Sequence, residues 1–169
     1  MKNLSKYLMS LALVVALGAC GSKDDVNTGN DVDMYANLEV SLGAPVRGVA
    51  LGSQEDLDVR AGNMVHFAYD RYNIDRDAAA TLKRQALWLK AFPDVSIIVE
   101  GHADERGTRK YNQALGERRA DAVKRYLVAN GISARRITTV SYGKDRPLVA
   151  ESNEAAWAKN RRAVSVITK

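Results

Sequence analysis

Two glycines bracket the run Gly101-His102-Ala103-Asp104-Glu105-Arg106-Gly107, in which ionisable side chains crowd a segment short enough to be a single loop. It follows the apolar stretch Ser96-Ile97-Ile98-Val99-Glu100, which reads as a strand, and precedes a long helical pattern. Open α/β sheets gather their ligands at such carboxyl ends of strands. Asp104 in that position suits a cationic group, for instance a ligand ammonium. The competing reading of the run is a capped polar turn.

The helix that follows is expected from Thr108 to Asn130 and stops at Gly131, which suits the left-handed position past a helix end. At about 100° per residue, Asn112 and Arg119 fall within about 40° of Val123, on the stripe that also carries Gly116 and Leu127. An arginine on an apolar stripe is desolvated, and that is costly unless an acceptor meets the guanidinium. Two readings stand at this point. Arg119 closes a structural salt bridge with Asp104 or Asp70, or it awaits the carboxylate of a ligand.

The third reactive position is Cys20, the sole cysteine in 169 residues. One thiol forms neither an internal disulfide nor a thiolate zinc site, and two histidines leave little for a transition-metal cage. Before Cys20 stand Lys2, Lys6 and an apolar run from Leu8 to Ala19, too short for a spanning helix and typical of an export signal. Leu17-Gly18-Ala19-Cys20 resembles a bacterial lipobox, in which the cysteine thiol is the atom that is acylated. In that class of lipoprotein, Gly21 in place of aspartate after the cysteine implies sorting to the outer membrane. The expected organisation is a signal peptide over residues 1–19, a lipidated cysteine and flexible tether over 20–52, and one domain over 53–169.

Charge follows the same division. Gly21 to Gly62 holds 3 basic and 8 acidic residues, whereas Asn63 to Lys169 holds 20 basic and 12 acidic. The tether lacks a sustained apolar period, and fully extended it would reach about 110 Å. A basic domain alone would suggest nucleic acid, but export removes the opportunity and aromatic residues are not interleaved with the basic ones for base stacking. No nucleic-acid partner is expected.

Within the domain, Leu57 and Val59 alternate with Asp56, Asp58 and Arg60, then Ala61-Gly62-Asn63 offers a turn before a strand over Met64 to Phe67. The pattern predicts an opening hairpin. A helix is expected from an Asp75 cap to Phe92 before Pro93, with Ala79, Leu82, Ala86 and Leu89 on its inner stripe. Strands over Ile137 to Tyr142 and Arg162 to Thr168 flank a short helix from about Asn153 to Lys159. Strands alternating with helices favour crossover units in a mixed sheet covered by helices.

Gly101 to Thr108, Tyr111-Asn112, Leu115-Gly116-Glu117-Arg118-Arg119-Ala120, Val140 to Lys144 and Asn160-Arg161-Arg162-Ala163 resemble the signature segments of the OmpA-like peptidoglycan-binding domain family. The resemblance covers Gln54 to Lys169. It implies an α+β fold, a mixed β-sheet with helices packed on it in a βαβαβ-type core, and a short extra helix before the last strand. It also implies non-covalent binding of the diaminopimelate-bearing stem peptide of peptidoglycan, with neither catalysis nor a cofactor. On that resemblance Asp104 receives the ammonium and Arg119 the carboxylate of the zwitterionic end of diaminopimelate. Phe67, Ala68, Tyr69 and Asp70 line the pocket, and Asn112, Leu115, Arg161 and Arg162 are further wall positions. Many relatives carry an acidic residue or glycine where Ala68 stands, and tyrosine or phenylalanine where His66 stands.

An enzymatic reading would enlist His102, Asp104 and Glu105 in a wall hydrolase, but no serine elbow is present and the other histidine, His66, belongs to a separate strand. Some lipid-anchored family members also contact a TolB-like periplasmic propeller protein and, through it, the Tol complex of the inner membrane, whereas other lipid-anchored members bind only the wall. The pocket motif is common to both groups. The partners implied are therefore peptidoglycan, a TolB-like protein with the Tol inner-membrane complex, and the outer membrane through lipid on Cys20. For the anchor, Cys20→Ser is expected to abolish metabolic labelling with a tritiated fatty acid and to release the chain from membranes in a fractionation experiment.

Overall fold

The computed structural model describes residues 47–168. The apolar leader, Cys20 and most of the expected tether lie outside the described residues, and residues 47–52 run through turns without a helix or strand. Among the described residues the first regular element is a helix, α1 (Gln54–Arg60), where the alternation around Leu57 predicts a strand and a hairpin. The departure has a local cause. Ser53 Oγ accepts the N–H of Asp56 at 3.2 Å, and Glu55 and Asp56 put negative charge at the positive end of the helix dipole. Asp56, Leu57 and Ala61 then turn inward at helical spacing, while Val59 stays 60% exposed. Asp56 is an anchor, accepting from Trp88 Nε1 at 2.9 Å and from the Gly52 N–H at 3.1 Å, with Arg60 Nε 3.5 Å away. Alternation of charge around Leu57 therefore does not mark a solvent face.

The remaining elements are β1 (Met64–His66), α2 (Arg76–Ala91), β2 (Ser96–His102), α3 (Arg109–Ala129), a single turn of 3₁₀ helix (Ala134–Arg136), β3 (Ile137–Gly143), α4 (Glu154–Asn160) and β4 (Arg162–Thr168). Asp75, Thr108 and Asn153 cap α2, α3 and α4 by accepting the N–H groups of Ala78, Tyr111 and Ala156. The four strands form one mixed sheet in the order β1-β4-β2-β3, with β2 and β3 parallel and the other neighbours antiparallel. A parallel pair needs a crossover, which α3 supplies. The result is the α+β arrangement of sheet and helices that the sequence predicts.

β1 is three residues long and leaves part of β4 beyond its reach. Gln54 fills the gap: its Oε1 accepts the Ile167 N–H at 2.8 Å, and its Nε2 donates to the Ser165 carbonyl at 3.3 Å. Helix α2 turns Ala78, Leu82, Ala86, Trp88 and Leu89 inward, with Ala78 rather than Ala79 the buried alanine. These residues share one core with Ile97 and Val99 of β2, Val123 and Leu127 of α3, and Ala163 of β4. Gln85 joins that face as a polar pair, accepting from Ser165 Oγ at 2.8 Å.

One contact in this packing sets the position of α3. A Cβ on Gly101 would fall 1.8 Å from the Gly116 carbonyl oxygen, and a Cβ on Gly116 would fall 2.3 Å from Ser141 Oγ and 2.8 Å from the Gly101 carbonyl oxygen. The helix backbone therefore lies directly on the strand, and one turn further along α3 stands Arg119. Overpacking of such a contact typically costs about 1–3 kcal/mol. Because the obstructing atoms at Gly101 are backbone, Gly101→Ala is expected at the upper end, lowering the thermal midpoint by roughly 10 °C or more in a circular-dichroism melt.

Candidate functional site

The site is assembled where β2 ends, around three carbonyls that converge on one guanidinium. Arg119 is fully buried. Its Nη1 donates to the His102 carbonyl at 2.7 Å, its Nε to the Arg71 carbonyl at 2.9 Å and its Nη2 to the Ala68 carbonyl at 3.3 Å. Two of those acceptors belong to a turn in which the Arg71 N–H bonds the Ala68 carbonyl and Asp70 takes φ +54°, a left-handed conformation that Asp tolerates better than most residues. The Phe67 ring lies 5.2 Å from the guanidinium carbon. Among the described residues no carboxylate lies within ion-pair distance of Arg119, so the structural salt bridge with Asp104 or Asp70 is not formed. Burial lowers its pKa to about 10, opposed by the nearby charges of Asp104 and Asp70, and it remains a cation at neutral pH.

Asp104 is 5% exposed and sits in the loop after β2. That loop is tied at several points. Asn112 Nδ2 donates to the Arg106 carbonyl at 2.9 Å, and Lys144 Nζ donates to the carbonyls of Glu105 at 2.9 Å and Gly107 at 2.7 Å. Asp104 Oδ1 accepts from the Arg106 N–H at 3.1 Å and from Arg106 Nε at 3.2 Å, while Oδ2 accepts from Arg106 Nη2 at 2.7 Å and from Arg161 Nη1 at 3.5 Å. Burial pushes the Asp104 carboxyl up, but the hydrogen bonds from Arg106 outweigh it and hold the pKa below the usual carboxylate range.

A cavity of about 190 Å³ opens between these two charges, with Tyr69, Asp70, Asp104, Asn112, Leu115 and Arg119 in its wall. Six of the residues expected at the site therefore line one hollow. Phe67 lies beneath Arg119, and Ala68 contributes its carbonyl. Arg161 stands behind Asp104, donating to the Phe67 carbonyl at 3.0 Å and to Glu154 Oε1 at 2.8 Å. Arg162 does not join them. Strand alternation sends it to the opposite face of the sheet, where it bonds the carbonyls of Asn160 and Arg146. A larger hollow of about 450 Å³ beside Glu105, Lys144 and Asn160 contains neither Asp104 nor Arg119.

Sequence reasoning misses Arg106, Gly107 and Tyr111, which complete the wall. Tyr111 hydrogen-bonds Asp70 through its hydroxyl and holds the left-handed turn. Its signal was present: Tyr111, Leu115 and Arg119 recur at every fourth position, so one helix face carries all three. For Arg106 the signal is the Asx turn of Asp104, whose side chain bonds the backbone two residues on.

The OmpA family model matches residues 66–161. A peptidoglycan-associated lipoprotein of Rhizobium meliloti is 42% identical over 167 residues, covering 99% of this chain and 91% of that relative. One of Pasteurella multocida is 44% identical, covering 97% of this chain and 98% of the relative. The crystal structure of the peptidoglycan-associated lipoprotein from Burkholderia pseudomallei aligns with a TM-score of 0.61 at 40% identity, covering 63% of this chain and 90% of that one. The fold is that of an OmpA-like domain, and the chain belongs to the OmpA family. The relatives matched along nearly their whole length are peptidoglycan-associated lipoproteins.

His102 gives its carbonyl to Arg119, but its ring is outside the cavity wall, tilted against Tyr142 with centroids 5.6 Å apart. Burial, aided by the positive charges of Arg162 and Arg146, lowers its pKa to about 4. The ring is neutral in the fold at pH 7. The unfolded chain takes up a proton near pH 6.5, so stability is complete above that value, falls as pH drops towards 4, and loses on the order of 3 kcal/mol in all from this group. His66 is shifted in the same direction, with burial the first cause. Urea unfolding midpoints should accordingly decline between pH 7 and pH 4.5, and His102→Gln should remove most of that slope.

Proposed function

We propose that this chain binds the diaminopimelate-bearing stem peptides of peptidoglycan without covalent chemistry and, through lipid on Cys20, ties the outer membrane to the wall from its periplasmic face. The coarser reading, a cell-wall anchor, is supported by the family and by the names of the full-length relatives. The observation that carries the finer one is Arg119, a wholly buried cation held by three carbonyls, with no carboxylate partner among the described residues, beside a cavity that Asp104 shares. Carbonyl dipoles orient a guanidinium but leave its charge uncompensated, so a ligand carboxylate has much to gain there. Opposed charges across a small cavity suit the zwitterionic end of diaminopimelate, because each half of a desolvated zwitterion needs its own partner. The site binds; none of its groups is asked to break a bond.

In the cell we assign the chain to the Tol-Pal system, with a TolB-like protein as its periplasmic partner and roles in envelope integrity and division. Similarity to peptidoglycan-associated lipoproteins along nearly the whole chain supports this over a wall anchor without Tol partners. Capture of a TolB-like propeller from envelope extracts by the purified chain is the expected outcome, and its absence would leave the wall-anchor reading alone.

Asp104→Ala and Arg119→Ala should each weaken co-sedimentation with purified diaminopimelate-type peptidoglycan by at least about thirtyfold, the effect of breaking one desolvated charge pair. Thermal unfolding should stay cooperative in both. Wild-type sedimentation by both variants would sink the site.

A further inference from the structure

The two charged halves of the cavity are not in the same condition. Among the described residues Arg119 has no carboxylate partner, whereas Asp104 already holds a cation. The side chain of Arg106 forks onto both carboxylate oxygens, at 3.2 Å through Nε and 2.7 Å through Nη2, and its backbone N–H and Arg161 take the remaining two contacts. A carboxylate offers about four acceptor sites, so Asp104 is fully engaged. Arg106 is also well housed. Its guanidinium carbon lies 4.1 Å from the centroid of the Tyr69 ring and 4.1 Å from that of Trp157, and its Nη1 is 3.5 Å from Glu154 Oε2.

We propose that Arg106 is an internal competitor for the cation half of the site, a side chain that the ligand's ammonium must displace from Asp104 and that thereby sets an affinity threshold. The inference rests on the zwitterion-binding function above. Glu154, 63% exposed at its side chain and already beside Nη1, is the acceptor to which the displaced guanidinium turns while it stays stacked on Trp157. The displacement weakens every cationic ligand by the same factor. If Arg106 leaves Asp104 free for about a tenth of the time, apparent affinity falls about tenfold. A zwitterion recovers that loss through Arg119. A simple amine, with one charge to offer, does not, and falls below its working concentration. Arg106 thereby makes the site answer to two charges together.

The experiment compares two tripeptides by calorimetry on the purified chain: L-alanyl-γ-D-glutamyl-meso-diaminopimelate, and the same peptide ending in L-lysine, which lacks only the distal carboxylate. Wild type should bind the first and hold the second weakly or below detection. Arg106→Gln should tighten both by a common factor of about ten and bring the lysine peptide into range. The loop should keep its shape in that variant, because Asn112 and Lys144 hold it through backbone carbonyls. Trp157 gives a second readout, since its fluorescence should change when the diaminopimelate peptide binds wild type and stay constant in Arg106→Gln. Binding by wild type with equal or weaker affinity in Arg106→Gln would make Arg106 a fixed wall and overturn the competitor alone. If neither protein binds the diaminopimelate peptide, the ligand reading falls and takes the competitor with it.

Discussion

A guanidinium has been drawn wholly inside this domain, and much of the architecture can be understood as what keeps it there. Arg119 spends its donors on carbonyls from two separate stretches of chain, the end of β2 and the turn over residues 68–71. Each stretch is in turn constrained by the need to present an oxygen. The close seating of Gly116 on Gly101 brings the helix near enough for Arg119 to reach the His102 carbonyl, and the left-handed backbone at Asp70 belongs to the turn that presents the other two. A buried positive charge hydrogen-bonded only by carbonyls among the described residues is costly to keep.

The neighbouring charges show how such a state is kept within bounds. Asp104 lowers the electrostatic cost of Arg119 at a distance without bonding it, and Arg161 works against it. Arg106 and Arg161 both lean on Asp104, and Glu154 balances the pair at the rim. The cluster has two layers, an inner one that is buried and an outer one that the solvent reaches. On the proposed reading a zwitterion uses both, its carboxylate meeting the buried Arg119 and its ammonium exchanging with Arg106 at Asp104.

Much of this was legible in the sequence because the informative residues obey helix and strand periodicity. The place of Arg119 on an apolar stripe follows from its spacing to Val123, and the glycines at 101 and 107 mark the loop between strand and helix. The caps at Asp75, Thr108 and Asn153 are residue types that accept backbone N–H groups, so the helix starts were readable too. What escaped depends on partners far along the chain. Asp56 is polar and would be placed outside by pattern, yet the indole of Trp88, 32 residues away, takes it inside and with it the whole of α1. The choice between Arg161 and Arg162 rests on which face of β4 meets Asp104, a matter of register that neighbouring residues of identical type leave open. Arg106 was hidden for another reason: a charged residue in a charged loop is unremarkable until two aromatic rings close on it.

The side chain of Gln54 has a consequence beyond the site. A side-chain amide carries an acceptor oxygen and N–H donors that can face the same strand, and here it continues the hydrogen-bond ladder of β4 after β1 has run out. Exposed strand edges are templates on which other chains pair. One glutamine, held in place by the capped helix that carries it, thus does the work of a missing stretch of strand along β4 and leaves less of that side for another chain to pair with.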